Sequence, residues 1–96
     1  MQYRFSNDYG APWPFWGDDG HCADGDPALS PKLEREVRAW ADQFERHFDW
    51  QSGWPDRGTA DAHRAEGERL HRDVQSALPE DTITFRYWET SYRADR

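Results

Sequence analysis

The chain is poor in cysteine, in lysine and in apolar runs, and each shortage removes a class of function. A single cysteine, Cys22, leaves no internal disulfide and no multi-cysteine zinc site. No stretch approaches the roughly 18 apolar residues of a membrane span. The opening MQYRFSND has neither a basic start nor an apolar core, so no signal peptide is expected and a cytoplasmic location follows as the default. Basic residues are outnumbered 12 to 19 by carboxylates, for a net charge of −7. Such a surface repels nucleic-acid backbones and anionic membranes and favours basic partners, or serves solubility alone. Residues 1–31 hold Asp8, Asp18, Asp19, Asp24 and Asp26 against Arg4 alone.

The motifs of catalysis are also missing. No GxSxG elbow, GxxxxGK[ST] loop, GxGxxG turn or HExxH pair occurs. Asp18, Asp19, His21, Cys22, Asp24 and Asp26 supply every type of metal ligand, but their order does not match a calcium loop. A lone His-Cys pair also lacks the spacing of structural zinc, so the segment reads as a solvated acidic loop. His47 and His71 fall on the sides of helices, and His63 on an inner face as a satisfied core histidine. No enzyme activity, cofactor or metal is expected.

What the chain has in plenty is aromatic rings: six Trp, five Phe and four Tyr in 96 residues. A domain this short buries only roughly 60–68% of its unfolded surface. Its core must therefore come from a few large side chains, each worth about 1.5–3 kcal/mol when buried. Hydrophobic content of 35% and charge of 32% lean toward disorder, and the rings tip the balance to a fold.

The strongest local signal is LSPKLEREVRAWADQFERHFDWQSGW, residues 29–54. Ser30 is an N-cap and Pro31 occupies the first helical position. Leu33, Val37, Trp40, Ala41, Phe44 and Phe48 recur at steps of three and four on one face. After the turn QSGWPDRG, a second helix is predicted from Thr59 or Ala60 to Leu78, capped by Thr59 or Asp56 and stopped by Pro79. Its inner face is His63, Gly67, Leu70, Val74, Ala77 and Leu78. The glycine there is read as room for a ring of helix one, Trp40 or Phe44.

Period-two alternation predicts strands at Gln2–Asn7 and Thr82–Glu89, with Tyr3, Phe5, Ile83, Phe85 and Tyr87 facing inward. Between the first strand and helix one, Asp8–Leu29 carries four glycines and three prolines and reads as a long loop. Its Trp13, Phe15 and Trp16 are expected to pack across the helices, and its Gly17–Asp26 part to be polar and mobile. Ser91–Arg96 reads as a frayed tail. One α+β domain over 1–96 follows: a two-helix hairpin on a small sheet of the N- and C-terminal strands, with a long Trp/Pro-rich loop. The terminal strands pair antiparallel if the loop does not cross the sheet and parallel if it does.

The outer sheet face is the candidate recognition surface. Arg4, Trp16, Thr84, Arg86 and Trp88 are its nominated residues, since exposed Trp and Arg mark binding hot spots. Open sheet edges would add to it. The competing outcome is that the Asp8–Asp26 loop folds over this face and covers Trp88. The function expected is a non-catalytic intracellular module binding a protein partner or itself, as an immunity-type inhibitor of a basic partner or a homodimer. The alternative is a small-ligand or carbohydrate-binding domain built on the Trp/Asp-rich loop. Neither nucleic acid nor membrane is an expected partner.

Tyr9, Gly10, Pro12 and Trp16, then Leu29, Ser30, Leu33, Val37, Trp40, Phe44 and Glu45, then Glu66, Gly67, Leu70, Val74 and Leu78 form a loose pattern over most of the chain. It resembles a group of short acidic proteins of unknown function from high-GC actinobacteria. That resemblance implies the order of elements and no activity.

Overall fold

The computed structural model describes residues 1–93. The elements run β1 (Gln2–Phe5), β2 (Phe15–Gly17), β3 (Gly20–His21), α1 (Pro31–His47), α2 (Arg57–Ala77) and β4 (Thr82–Phe85). The fold is α+β: a helical hairpin on a four-stranded mixed sheet of order β3-β2-β1-β4.

Each helix begins where its cap chemistry places it. Ser30 accepts from the Leu33 N–H at 3.2 Å ahead of Pro31. Asp56 accepts from the Thr59 N–H at 2.7 Å, which starts α2 two residues before the expected Thr59. Leu33, Val37, Trp40, Ala41 and Phe44 are buried as the spacing requires. On α2 the buried set is Ala60, His63, Gly67, Leu70 and Val74, while Ala77 is exposed. Between the helices Gly53 has φ +78°, and a Cβ there would collide with the Ser91 carbonyl, so only glycine fits this turn.

The terminal strands pair, and they pair parallel: Tyr3 faces Ile83 and Phe5 faces Phe85. The helical hairpin is the crossover that a parallel pair needs. The long loop is not irregular throughout. Phe15–Gly17 pairs antiparallel with β1 and then with Gly20–His21, forming a small hairpin that widens the sheet. Its polar part is tied down at several points. Arg38 makes a double contact to Asp24 at 2.9 and 3.2 Å, and the Trp13 indole donates to the Asp26 carbonyl at 2.7 Å.

β4 ends at Phe85, four residues before the predicted Glu89, because β1 offers no partner beyond Phe5. Only the Arg86 N–H, donating to the Phe5 carbonyl at 3.0 Å, extends the ladder. The frayed tail expected at 91–96 lies partly outside the described residues. Within them, Trp54 and Arg93 hydrogen-bond through their backbones, and the Trp54 N–H donates to Ser91.

Tyr3, Phe5, Trp13, Phe15, Trp40 and Leu70 are in the main core between sheet and helices. Phe44, Trp54 and Ala60 form a second cluster at the far end of α1. Trp50 lies outside both clusters, at 75% exposure. The other five tryptophans each donate their indole N–H to a backbone carbonyl, which lets large rings be buried without an orphaned donor.

Candidate functional site

Both helices pack on one side of the sheet, where Tyr3, Phe5, Phe15 and Ile83 are buried. The opposite side is open. Register alone builds it: Arg4 lies across from Trp16 on one side and Thr84 on the other, and Trp16 across from His21. His21, Trp16, Arg4 and Thr84 thus form a row across all four strands. Gln2, Arg4, Thr82, Thr84 and Arg86 are exposed on this face. The Asp8–Asp26 segment joins the sheet beside β1 rather than lying across the face, and only its Tyr9 ring packs against Trp88.

At one end of the face is a hollow of about 200 Å³, lined by Arg4, Ser6, Asn7, Asp8, Trp16, Arg86 and Trp88. It brings together four of the five nominated residues, Arg4, Trp16, Arg86 and Trp88. Thr84 stands on the strand between the arginines without lining the hollow. The Arg4 guanidinium lies 5.6 Å from the centre of the Trp16 ring, within cation–π range. Neither Arg4 nor Arg86 takes part in an ion pair among the described residues.

Trp88 departs from the expected position. Strand alternation would stand it beside Thr84 and Arg86, but the ladder has already ended there. Its indole N–H donates to the Asn7 carbonyl at 2.8 Å. Its ring meets Tyr9, Phe44 and Phe48 edge-on at 5.5–5.8 Å. The residue is 38% exposed, so it forms one wall of the hollow and also packs on the last turns of α1.

Asn7 lines the hollow and is joined to the buried Glu89, and the sequence pattern singles out neither. Asn7 and Glu89 are 2% and 0% exposed, and the Asn7 amide donates to Glu89 Oε2 at 2.8 Å. The Trp88 N–H donates to Glu89 Oε1 at 3.0 Å. Burial pushes the Glu89 carboxyl above the usual glutamate range. Asn7 Oδ1 is buried with no hydrogen-bond partner. One signal was available for Glu89: it shares the inward parity of Ile83, Phe85 and Tyr87.

A larger groove of about 680 Å³ runs between the helices over Trp40, Trp54 and His63. Its acidic wall is engaged internally. Arg69 reaches Glu36 at 2.6 Å and Glu66 at 2.7 Å, and Asp56 caps α2. His63 is satisfied too, contacting the Tyr87 hydroxyl at 3.0 Å and the Trp40 carbonyl at 3.1 Å. Trp13, which a sugar-stacking loop would display, is 1% exposed. Among the described residues no group of three or more His, Cys, Asp or Glu is placed to hold a metal ion. No helix among them is long and apolar enough to cross a membrane.

The sequence matches the Serratia CdiI immunity protein-like family over residues 1–90. The chain belongs to this family. The matched span takes in every helix and strand among the described residues, both arginines of the hollow, and the Asn7–Glu89 pair. No curated protein matches the chain.

Proposed function

We propose that the chain is a non-catalytic, cytoplasmic protein-binding module of the immunity type, which neutralises a basic protein partner by docking on it through the open sheet face. The observation that carries this reading is a sheet face left bare by both helices, displaying Arg4, Trp16, Thr84, Arg86 and Trp88 in a member of an immunity protein-like family. Its chemistry suits recognition. Arginine and tryptophan give the most binding energy per residue at protein interfaces. The remaining surface carries the net charge of −7, which speeds encounter with a basic partner and makes association salt-dependent.

Co-expression with the polypeptide encoded beside this chain's gene tests the reading, with growth as the readout. The wild type restores growth. Arg4→Glu combined with Arg86→Glu, folded as judged by circular dichroism, loses protection. Arg72→Glu on the exposed side of α2 keeps it. A double variant that is folded and fully protective overturns the face as the docking site.

A further inference from the structure

We infer that the hollow lined by Arg4, Arg86, Asn7, Trp16 and Trp88 is an anchor pocket for one acidic side chain of the partner, an aspartate or glutamate held between the two guanidinium groups. This rests on the sheet face being where the partner docks.

The hollow runs against the charge of the rest of the molecule. In a chain of net charge −7 it places two arginines together, and neither has an ion-pair partner among the described residues. The one carboxylate at the rim, Asp8, accepts from the Tyr9 N–H at 2.8 Å. Guanidinium forks match a carboxylate in geometry as well as charge.

The walls add shape rather than donors. The indole N–H groups of Trp16 and Trp88 are already engaged by the Ser6 and Asn7 carbonyls at 2.9 and 2.8 Å. An incoming anion is therefore met by the two arginines rather than by the indoles. Trp16 also holds Arg4 in place through the cation–π contact, which lowers the ordering cost of binding. About 200 Å³ admits one side chain, not a helix or an oligosaccharide.

The sheet face around the hollow decides between a side-chain carboxylate and a free inorganic anion. Gln2, Thr82 and Thr84 are exposed beside Arg4 and Arg86, so a carboxylate carried by a docked polypeptide gains contacts that free phosphate cannot make.

Titration of the full chain, followed by ¹H–¹⁵N NMR, tests this with three ligands: N-acetyl-glutamic acid methylamide, its lysine counterpart and inorganic phosphate. The glutamate compound should shift the Trp16 and Trp88 indole signals and the Asn7 amide in a saturable way. Arg4→Gln and Arg86→Gln should each weaken it about tenfold, the size expected of one charge-assisted contact. No shift, equal shifts from phosphate, or shifts from the lysine compound overturn the assignment. If the glutamate compound fails while protection in co-expression still depends on Arg4 and Arg86, the acidic anchor falls and the docking face stands. If it binds while protection ignores both arginines, the pocket does not serve the partner and the inference is overturned along with the face.

Discussion

His63 lies flat on the Trp40 ring, with 4.6 Å between centroids and 5° between planes, and Trp54 closes in at 4.4 Å. Burial pushes its pKa down from 6.5 to about 4. The folded chain therefore binds this proton more weakly than the unfolded one, so the stability it gives is complete above pH 6.5 and lost as pH falls toward 4. The stability advantage of wild type over His63→Gln should shrink by about 3 kcal/mol between pH 7 and pH 4. Urea unfolding at the two pH values measures it. The comparison with the variant removes the opposing slope of Glu89, whose raised pKa favours the fold at low pH. Gly67 makes the second residue-scale prediction. A Cβ at this position would sit 2.7 Å from Trp40 Cζ2 and 2.8 Å from Phe85 Cζ. Alanine gains about 1 kcal/mol of helix propensity, but overpacking two rings costs about 1–3 kcal/mol. Gly67→Ala should lower Tm slightly and Gly67→Leu by well over 5 °C, since each kcal/mol moves a domain of this size by about 4–8 °C. An unchanged Tm for the leucine variant would contradict the packing. The role of Gly67 was legible because a helix-breaking residue on an inner face needs a bulky neighbour. Phe85 as the second neighbour was not, since it depends on the parallel register.

At the scale of elements, β4 is an edge strand whose outward groups at Ile83 are covered by α2. The Ile83 N–H donates to Gln75 Oε1 at 2.9 Å, and the Ile83 carbonyl meets His71 Nε2 at 2.5 Å. Gln75 also donates to the Asp81 and Leu78 carbonyls at 2.7 and 3.1 Å, fixing the turn between helix and strand. The other edge, β3, is two residues long. The open edges expected from sequence are thus one short strand and one strand guarded at Ile83. His71→Ala with Gln75→Ala should uncover Ile83, lower stability by about 1–2 kcal/mol and promote self-association through β4. Light scattering at two concentrations reads the association, and a variant that stays monomeric with unchanged Tm would remove the guarding role. The helices were legible because caps and spacing are local. The β2–β3 hairpin was not: three residues and two residues are too short for alternation to register, and Asp18-Asp19 is not a favoured hairpin dipeptide. The length of β4 was overread for a related reason. Alternation continues to Glu89, but pairing requires a neighbour, and β1 stops at Phe5.

Over the whole molecule, charge and hydrophobicity are divided between sides. The helices take the apolar side of the sheet and carry all five i,i+4 ion pairs found among the described residues. The other side of the sheet keeps a small arginine and tryptophan patch in an otherwise acidic chain. The nominated residues Arg4, Thr84 and Arg86 were readable because alternation along a strand assigns each side chain to a face by parity alone. Trp16 reached the same patch through a strand that alternation did not reveal, and the Asn7–Glu89 pair was hidden because inward parity turns Glu89 to the interior without showing which residue would pair it there. The account turns on which side of the sheet meets the partner. Hydrogen–deuterium exchange of this chain, alone and in complex with the polypeptide encoded beside its gene, tests that most directly. Slowed exchange confined to residues 2–7, 15–21 and 82–88, with the helices unchanged, is the predicted result. Slowed exchange along the groove between α1 and α2, with the sheet face unchanged, would contradict it.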